Sequence, residues 1–372
     1  MPEKFSDFDR KMMRRCFQLA RKGRARVRPN PMVGAVIVKE GRIIAEGYHH
    51  YFGGPHAEVD AFKKARQDVS GATLYCNLEP CCHTNKKTPP CTPLIISKKI
   101  KRVVVSNIDP NPEVSGQGLQ QLRKAGIEVQ SGLLQEEGAE LNRYFFVNMQ
   151  KQRPYVTVKM AQSLDGFIAK QKGRQFWLTG PKAVRYVHRL RSFHDAVLVG
   201  SGTIRADNPQ LTVREVSGSN PLRIILSPTL NLPLNAWVFN DMFKAKTMVV
   251  GSPIALAEKV QRLRQAGIRV VFLPENHGKN MDLEGLLAML WQEFKVGSLL
   301  VEGGQKIFSL FWETSLWDEW IILQTPHILT KGLPALKTNL IGDLALKRVR
   351  RLNDDVALIY GKKKSDKDAE NY

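Results

Sequence analysis

The sequence predicts two α/β domains in tandem, on three observations. The chain has 372 residues, more than one small core needs by the rough measure of about 150 residues per domain. Short apolar runs of strand character alternate with amphipathic helical stretches in both halves, the pattern of layered α/β folds. A long helical stretch then ends at Arg153 and Pro154, where the first alternation closes and a second opens. The expected domains are 1–150 and 151–361. The charged tail 362–372, KKKSDKDAENY, has no apolar anchor and is expected to be disordered.

In the first half, apolar positions Phe8, Met12, Met13, Cys16, Phe17, Leu19 and Ala20 predict an amphipathic helix over 7–23, with Gly23 as its stop. RPNPMVGAVIVKEGRIIAEGYHH then reads as a stiff loop and a hairpin, with strands at 33–38 and 43–46 about a Glu40-Gly41 turn. After the Gly53-Gly54-Pro55 turn, a helix is expected from His56 to about Ala65. Strand 72–78, helix 92–98, strand 102–106, turn DPNP, helix 118–125 and strand 127–129 complete a three-layer pattern. A helix over 136–150 leads to the boundary. The second half predicts strands at 155–160, 196–199, 222–226, 247–250, 270–272, 298–301 and 320–323. Its helices are expected at 182–191, 255–266 and 283–294, and GSGTIRADNPQLTVR reads as a glycine-bearing loop.

Hydrophobic residues make up 43% and charged residues 24% of the chain, which excludes wholesale disorder. No apolar run approaches the roughly 20 residues of a membrane span. The charged N-terminus lacks a secretory pattern, so a cytoplasmic protein is expected. The formal charge of +21 favours anionic partners. Nucleic acid, a phosphorylated metabolite with a phosphorylated cofactor, and a merely solvated basic surface all fit that charge.

Four of the five cysteines, Cys76, Cys81, Cys82 and Cys91, crowd into sixteen positions, which in a cytoplasmic protein suggests metal before disulfides. PHAEVDAF followed by NLEPCCHTNKKTPPC offers His56, Cys81 and Cys91 as three ligands, the number a catalytic zinc takes while keeping one position for water. Glu58, two residues after His56, suits a proton carrier that is not itself a ligand. Packed thiols are the alternative, but H-x-E followed by P-C at a strand end matches the signature of zinc-dependent deaminases. Cys82 is a rival ligand, although adjacent residues seldom chelate one tetrahedral centre comfortably.

PNPMVGAVIV, GYHHYFGGPHAE, LEPCCHTNKKTPPC, DPNP, KMAQSLDG, WLTG, GSGTIRADNPQLTVR and LLVEGG resemble the family of bifunctional deaminase-reductases of riboflavin biosynthesis, over about 8–345. The resemblance implies a cytidine-deaminase-like three-layer α/β/α domain followed by a dihydrofolate-reductase-like α/β domain. The first would remove the 2-amino group of a diaminopyrimidinone ribosylamine phosphate with zinc. The second would reduce the ribose to a ribityl chain with NADPH. It assigns the metal to His56, Cys81 and Cys91, the proton shuttle to Glu58, and the pyrimidine and phosphate pocket to Asn30, His49 and His83. In the second domain it implies NADPH against Ala161, Trp177, Thr203, Asp207 and the segment Gly304, Gln305, Lys306, Ile307, Phe308, Ser309 and Leu310. Substrate would meet Lys159, Gln175, Arg191, Leu211, Arg214 and Glu302, with two arginines suited to gripping a phosphate.

The sequence departs from that family in three places. The Cys81–Cys91 segment carries one residue more than is common, and Cys82 stands where serine is common. Leu226, Ser227 and Pro228 replace the usual I-D-S, so no cofactor serine is expected there. The expected partner is a phosphorylated pyrimidine, with no nucleic acid and no membrane, and a homo-oligomer is expected. The rivals are a base deaminase acting on nucleic acid, which would use the high charge for phosphate contacts, and a non-catalytic binding protein of the same fold. The reductase motifs argue against the first, and the intact ligand set against the second.

Overall fold

The computed structural model describes residues 5–24, 26–83, 88–173, 176–273, 275–276 and 280–363. Gln175 and all but the first two residues of the charged tail lie outside them; Lys362 is the last residue of a strand. The chain divides into two compact units, Met1–Gln152 and Arg153–Tyr372. Among the described residues no helix is long and apolar enough to cross a membrane.

The first unit comprises α1 (Asp7–Ala20), β1 (Gly34–Lys39), β2 (Arg42–Tyr48), α2 (Ala57–Lys64), β3 (Thr73–Leu78), α3 (Cys91–Ser97), β4 (Arg102–Asn107), α4 (Gln117–Lys124), β5 (Glu128–Ser131), α5 (Gln135–Leu141) and α6 (Arg143–Lys151). Ser6 and Asp9 form a reciprocal capping box that starts α1. The five-stranded sheet runs β2-β1-β3-β4-β5, with β1 antiparallel to both neighbours and β3, β4 and β5 parallel. Alternation along the strands divides the core in two. Ala35 and Ile37, Leu74 and Cys76, and Val103 and Val105 pack with Ala57, Ala61, Ile95, Leu119 and Leu122 of α2, α3 and α4. Val36, Val38, Tyr75 and Val104 face Met12, Met13, Cys16 and Phe17 of α1. A strand buried on both faces reads as a continuous apolar run, which is why these strands were legible.

The helix expected over 136–150 is in fact two, broken at Asn142. The Asn142 side chain leaves the helical path to accept from Met32 N at 2.8 Å and donate to Met32 O at 2.9 Å.

The second unit contains β6 (Tyr155–Gln162), β7 (Phe167–Ala169), α7 (Pro181–Phe193), β8 (Ala196–Gly200), α8 (Ser201–Asp207), β9 (Leu222–Leu226), α9 (Trp237–Asn240), β10 (Thr247–Gly251), α10 (Ala257–Gln265) and β11 (Arg269–Phe272). It continues with β12 (Glu275–Asn276), β13 (Asn280–Met281), α11 (Leu283–Gln292), β14 (Ser298–Val301), α12 (Gln305–Thr314), β15 (Glu319–Gln324), β16 (Leu333–Pro334), β17 (Leu344–Leu352) and β18 (Asp355–Lys362). One nine-stranded sheet runs β11-β10-β9-β8-β14-β6-β15-β18-β17. It is parallel as far as β15 and antiparallel for the last two strands. Leu299 and Val301 of β14 join the core under α11 and α12, while Leu300 joins the one under α7 and α10.

GSGTIRADNPQLTVR, expected as loop, opens with the helix α8, ended by Asn208 in the left-handed region. The hairpin β17–β18 was not anticipated. β14 enters the sheet between β6 and β8, so β6 leads away on one side and β8 on the other. The crevice at the carboxyl ends of these three strands is where open α/β sheets bind ligands.

Candidate active sites

In the first unit, His56 stands in extended backbone immediately before α2, Cys81 follows the end of β3, and Cys91 is the first residue of α3. The chain between the cysteines returns on itself, because the amides of Cys91 and Thr92 donate to Cys81 O at 3.0 and 3.2 Å. The three ligand atoms lie within 4.8 Å of one another, and each Sγ is 3.4 Å from His56 Nδ1. Ligands at roughly 2.1 and 2.3 Å from a tetrahedral zinc are separated by about 3.5 Å. One imidazole and two thiolates therefore fit zinc, with a fourth position left over. Among the described residues Cys82 is not in this group.

Glu58 is buried, with Cys91 as a hydrogen-bond partner. Burial raises its carboxyl above the usual carboxylate range and Cys81 adds to that, while His56 opposes it.

Sequence reasoning missed what holds these groups in place. Thr88 Oγ1 lies 3.0 Å from His56 Nε2, which leaves Nδ1 to the sulfurs. The Glu79 carboxylate accepts from the amides of Asp109, Gly116 and Leu119, fixing the strand end that carries Cys81. Only the position of Glu79 inside the LEPC run could have hinted at this.

The buried His49 stands edge-on to His56, ring centroids 5.6 Å apart. Its Nδ1 lies 2.9 Å from Pro55 O and therefore carries the proton, so Nε2 accepts from Asn30 Nδ2 at 3.2 Å. Burial and the neighbouring His56 and His50 lower the His49 pKa, which keeps the ring neutral. Asn30, His49 and His56 are thus contiguous. His83 is half-buried and set toward Glu113 at 4.0 Å.

In the second unit, Lys159 of β6, Arg191 of α7 and Glu302 after β14 meet in the crevice. Arg191 holds Glu302 bidentately at 2.6 and 2.8 Å, and Lys159 Nζ lies 3.4 Å from Glu302 Oε2. Burial would raise the Glu302 pKa. The two cations outweigh it and hold the carboxyl down at about 2. Asp207, at the end of α8, is pushed upward by burial, with Lys159 opposing. A side chain at Gly304 would meet Thr203 Oγ1 at 3.8 Å, so α8 and the start of α12 approach closely there.

Several expectations change. Arg191 is not a free phosphate fork: its Nε and Nη2 are committed to Glu302 and its Nη1 donates to Thr212 O at 3.2 Å. Arg214 is exposed and uses only Nη1 among the described residues, toward Thr212 Oγ1 at 2.6 Å. Leu211 is buried in the core beneath α7, so only its backbone can reach a ligand. The 304–310 segment does not present one face. Gly304 and Gln305 open α12 and Lys306 is exposed, whereas Ile307, Phe308 and Leu310 pack toward the core and Ser309 accepts from Lys337 N. The amides of Ile307 and Phe308 already bond to Gly304 O, which leaves those of Gln305 and Lys306 at the helix start. Trp177 is exposed and Ala161 half-buried.

Residues 6–107 match the cytidine and deoxycytidylate deaminase zinc-binding region, and residues 154–358 match the RibD C-terminal domain. The riboflavin biosynthesis protein RibD of Aquifex aeolicus is 40% identical over 95% of this chain and 98% of its own length. The chain belongs to the RibD family. The RibD of Escherichia coli is 37% identical over 94% of the chain and 98% of its own. Among solved structures, Acinetobacter baumannii RibD superposes with a TM-score of 0.84 at 34% identity, covering 96% of this chain and 99% of that one. A diaminohydroxyphosphoribosylaminopyrimidine deaminase/5-amino-6-(5-phosphoribosylamino)uracil reductase of Thermotoga maritima gives 0.80 at 38%, with the same coverage. As a RibD-family protein, the chain is a bifunctional enzyme of riboflavin biosynthesis, with a zinc-binding deaminase region followed by a reductase of the NADPH-dependent type. Both fold expectations, the cytidine-deaminase-like first domain and the reductase second domain, hold, and the nucleic-acid deaminase reading is not favoured.

Proposed function

We propose that this enzyme deaminates 2,5-diamino-6-(5-phosphoribosylamino)pyrimidin-4(3H)-one and then reduces the ribosyl group of the product to ribityl, the two activities in the Thermotoga relative's name. The observation that carries the first step is the convergence of His56, Cys81 and Cys91 beside a buried Glu58. These three residues would hold zinc, whose chemistry when bound is to make a water nucleophilic near neutral pH. Glu58, kept from ionising readily by burial, carries the two protons of the attacking water in turn, the first to the ring nitrogen and the second to the amino group that departs as ammonia. Asn30 and the neutral His49 line the pyrimidine, and His83 stands on the phosphate side.

In the second step NADPH supplies hydride. Ala161, Trp177, Thr203, Asp207 and the start of α12 would hold it, and the amides of Gln305 and Lys306 suit a phosphate. Lys159, oriented by Glu302, presents its ammonium to the sugar oxygen. Arg191 acts by holding Glu302, and Arg214, with its outward donors, takes the substrate phosphate. Phosphorylated substrate and NADPH are the anionic partners we assign to the positive charge. Five free cysteines fit a reducing cytoplasm, and we expect a homo-oligomer.

The test follows ammonia and NADPH separately with the phosphorylated diaminopyrimidinone. Glu58→Gln is expected to retain about one zinc per chain while losing ammonia release by roughly 10²–10⁴-fold. Normal ammonia release by that protein would overturn the shuttle assignment.

A further inference from the structure

The segment 211–214, which carries Arg214, is held to α7 by two side chains one helical turn apart. Arg191 Nη1 donates to Thr212 O at 3.2 Å, and the amide of Arg214 donates to His188 Nδ1 at 3.0 Å. Val213 is fixed by its amide to Asn220 Oδ1 at 2.7 Å, and Leu211 anchors the near end in the core with a positive φ of 56°. Among the described residues, the only hydrogen bond joining residue 214 to anything outside its own loop is the one its amide donates to His188.

From this geometry we infer that His188 is a positioning residue for the reductase: its neutral ring fixes the Arg214 backbone, and so places the guanidinium for the substrate phosphate. The inference rests on the substrate-side role proposed for Arg214.

His188 is 3% exposed and faces Arg191 on its own helix, Arg214 and Glu215 on the loop, and Glu302 at the end of β14. Burial and the two guanidinium groups outweigh the two carboxylates and push the imidazole down to about 4. The ring is therefore neutral in the working range of the enzyme. With Nδ1 accepting, the proton sits on Nε2. A charged ring would turn an N–H toward the Arg214 amide and break the contact.

The full-length protein is assayed with NADPH and two substrates, the deaminated ribosylaminouracil phosphate and its dephosphorylated form. His188→Ala is expected to raise KM for the phosphorylated substrate by roughly five- to tenfold while leaving kcat within about twofold. KM for the dephosphorylated substrate and ammonia release by the first unit should not change. His188→Asn, whose Oδ1 can replace Nδ1 as acceptor, should restore KM, whereas His188→Gln, which reaches the Nε2 position instead, should not.

A KM that stays normal in His188→Ala, or rises equally for both substrates, overturns the inference. If the alanine protein is insoluble, the asparagine and glutamine variants decide it, and equal KM values for them also overturn it. Arg214→Gln separates the two levels. If it raises KM where His188→Ala does not, the positioning role alone falls. If it leaves KM unchanged, the phosphate role of Arg214 falls and takes the inference with it.

Discussion

His56 meets two sulfurs through Nδ1 because the Thr88 hydroxyl occupies Nε2, and that choice of ring nitrogen orients the whole ligand set. Cys82, next to a ligand in sequence, stays outside the group formed by its neighbours among the described residues. Cys82→Ser should therefore keep about one zinc per chain and Cys91→Ser should lose it, as metal analysis of the two purified proteins would show. The reverse pattern would exchange the two cysteines in the assignment. The convergence of His56, Cys81 and Cys91 was legible because H-x-E and P-C mark a helix start and a strand end, and both are local features. The partner of Arg191 was not legible. Glu302 is 111 positions away, and spacing along one helix says nothing about a carboxylate delivered by another strand.

At the scale of elements, strands buried on both faces declared themselves as apolar runs, and α1 through its helical period. β17 did not, because LALKRVRRL exposes most of its residues at the edge of the sheet and carries charge where a strand pattern would need alternation. α8 was hidden by Gly202 and by the Asn-Pro pair that follows it. The break between α5 and α6 was hidden because Asn142 is a tolerable helix residue whose reason for leaving the helix lies at Met32. Asn77 clamps the same loop, accepting from Gly34 N at 2.7 Å and donating to Met32 O at 3.0 Å. Asn142→Ala leaves the Met32 amide without its acceptor in a partly buried setting, at a cost of about 1 kcal/mol. A lower unfolding midpoint for the first unit and a raised KM for deamination are expected, since Asn30 lies two residues from the clamp. An unchanged KM would mean that the loop does not depend on it.

For the whole molecule, each unit carries a buried carboxylate held ionised by cations. Asp9 stands against Arg102 and Tyr75 at 2.9 and 2.6 Å in the first unit, and Glu302 against Arg191 and Lys159 in the second. Burial would raise Asp9, and its bonds to Arg102, Tyr75 and Ser6 together carry it well below the usual range. Both folded pKa values are depressed, so the stability they contribute is complete above the ordinary carboxylate value of about 4 and is lost as pH falls below it. For Glu302 that loss runs down to about 2. Denaturant midpoints measured between pH 6 and pH 3 should fall with acid in both units, and a midpoint independent of pH across that range would contradict the ion pairs. The order of strands in the second sheet has another consequence. The His56, Cys81 and Cys91 cluster lies between residues 56 and 91, inside a unit that closes at Gln152. The reductase crevice is assembled only when β14 slots between β6 and β8, bringing Glu302 to residues made long before it. During synthesis on the ribosome, the chemistry that acts first on the substrate is therefore complete while more than half of the chain is still to be translated, and the chemistry that acts second must wait for one late strand.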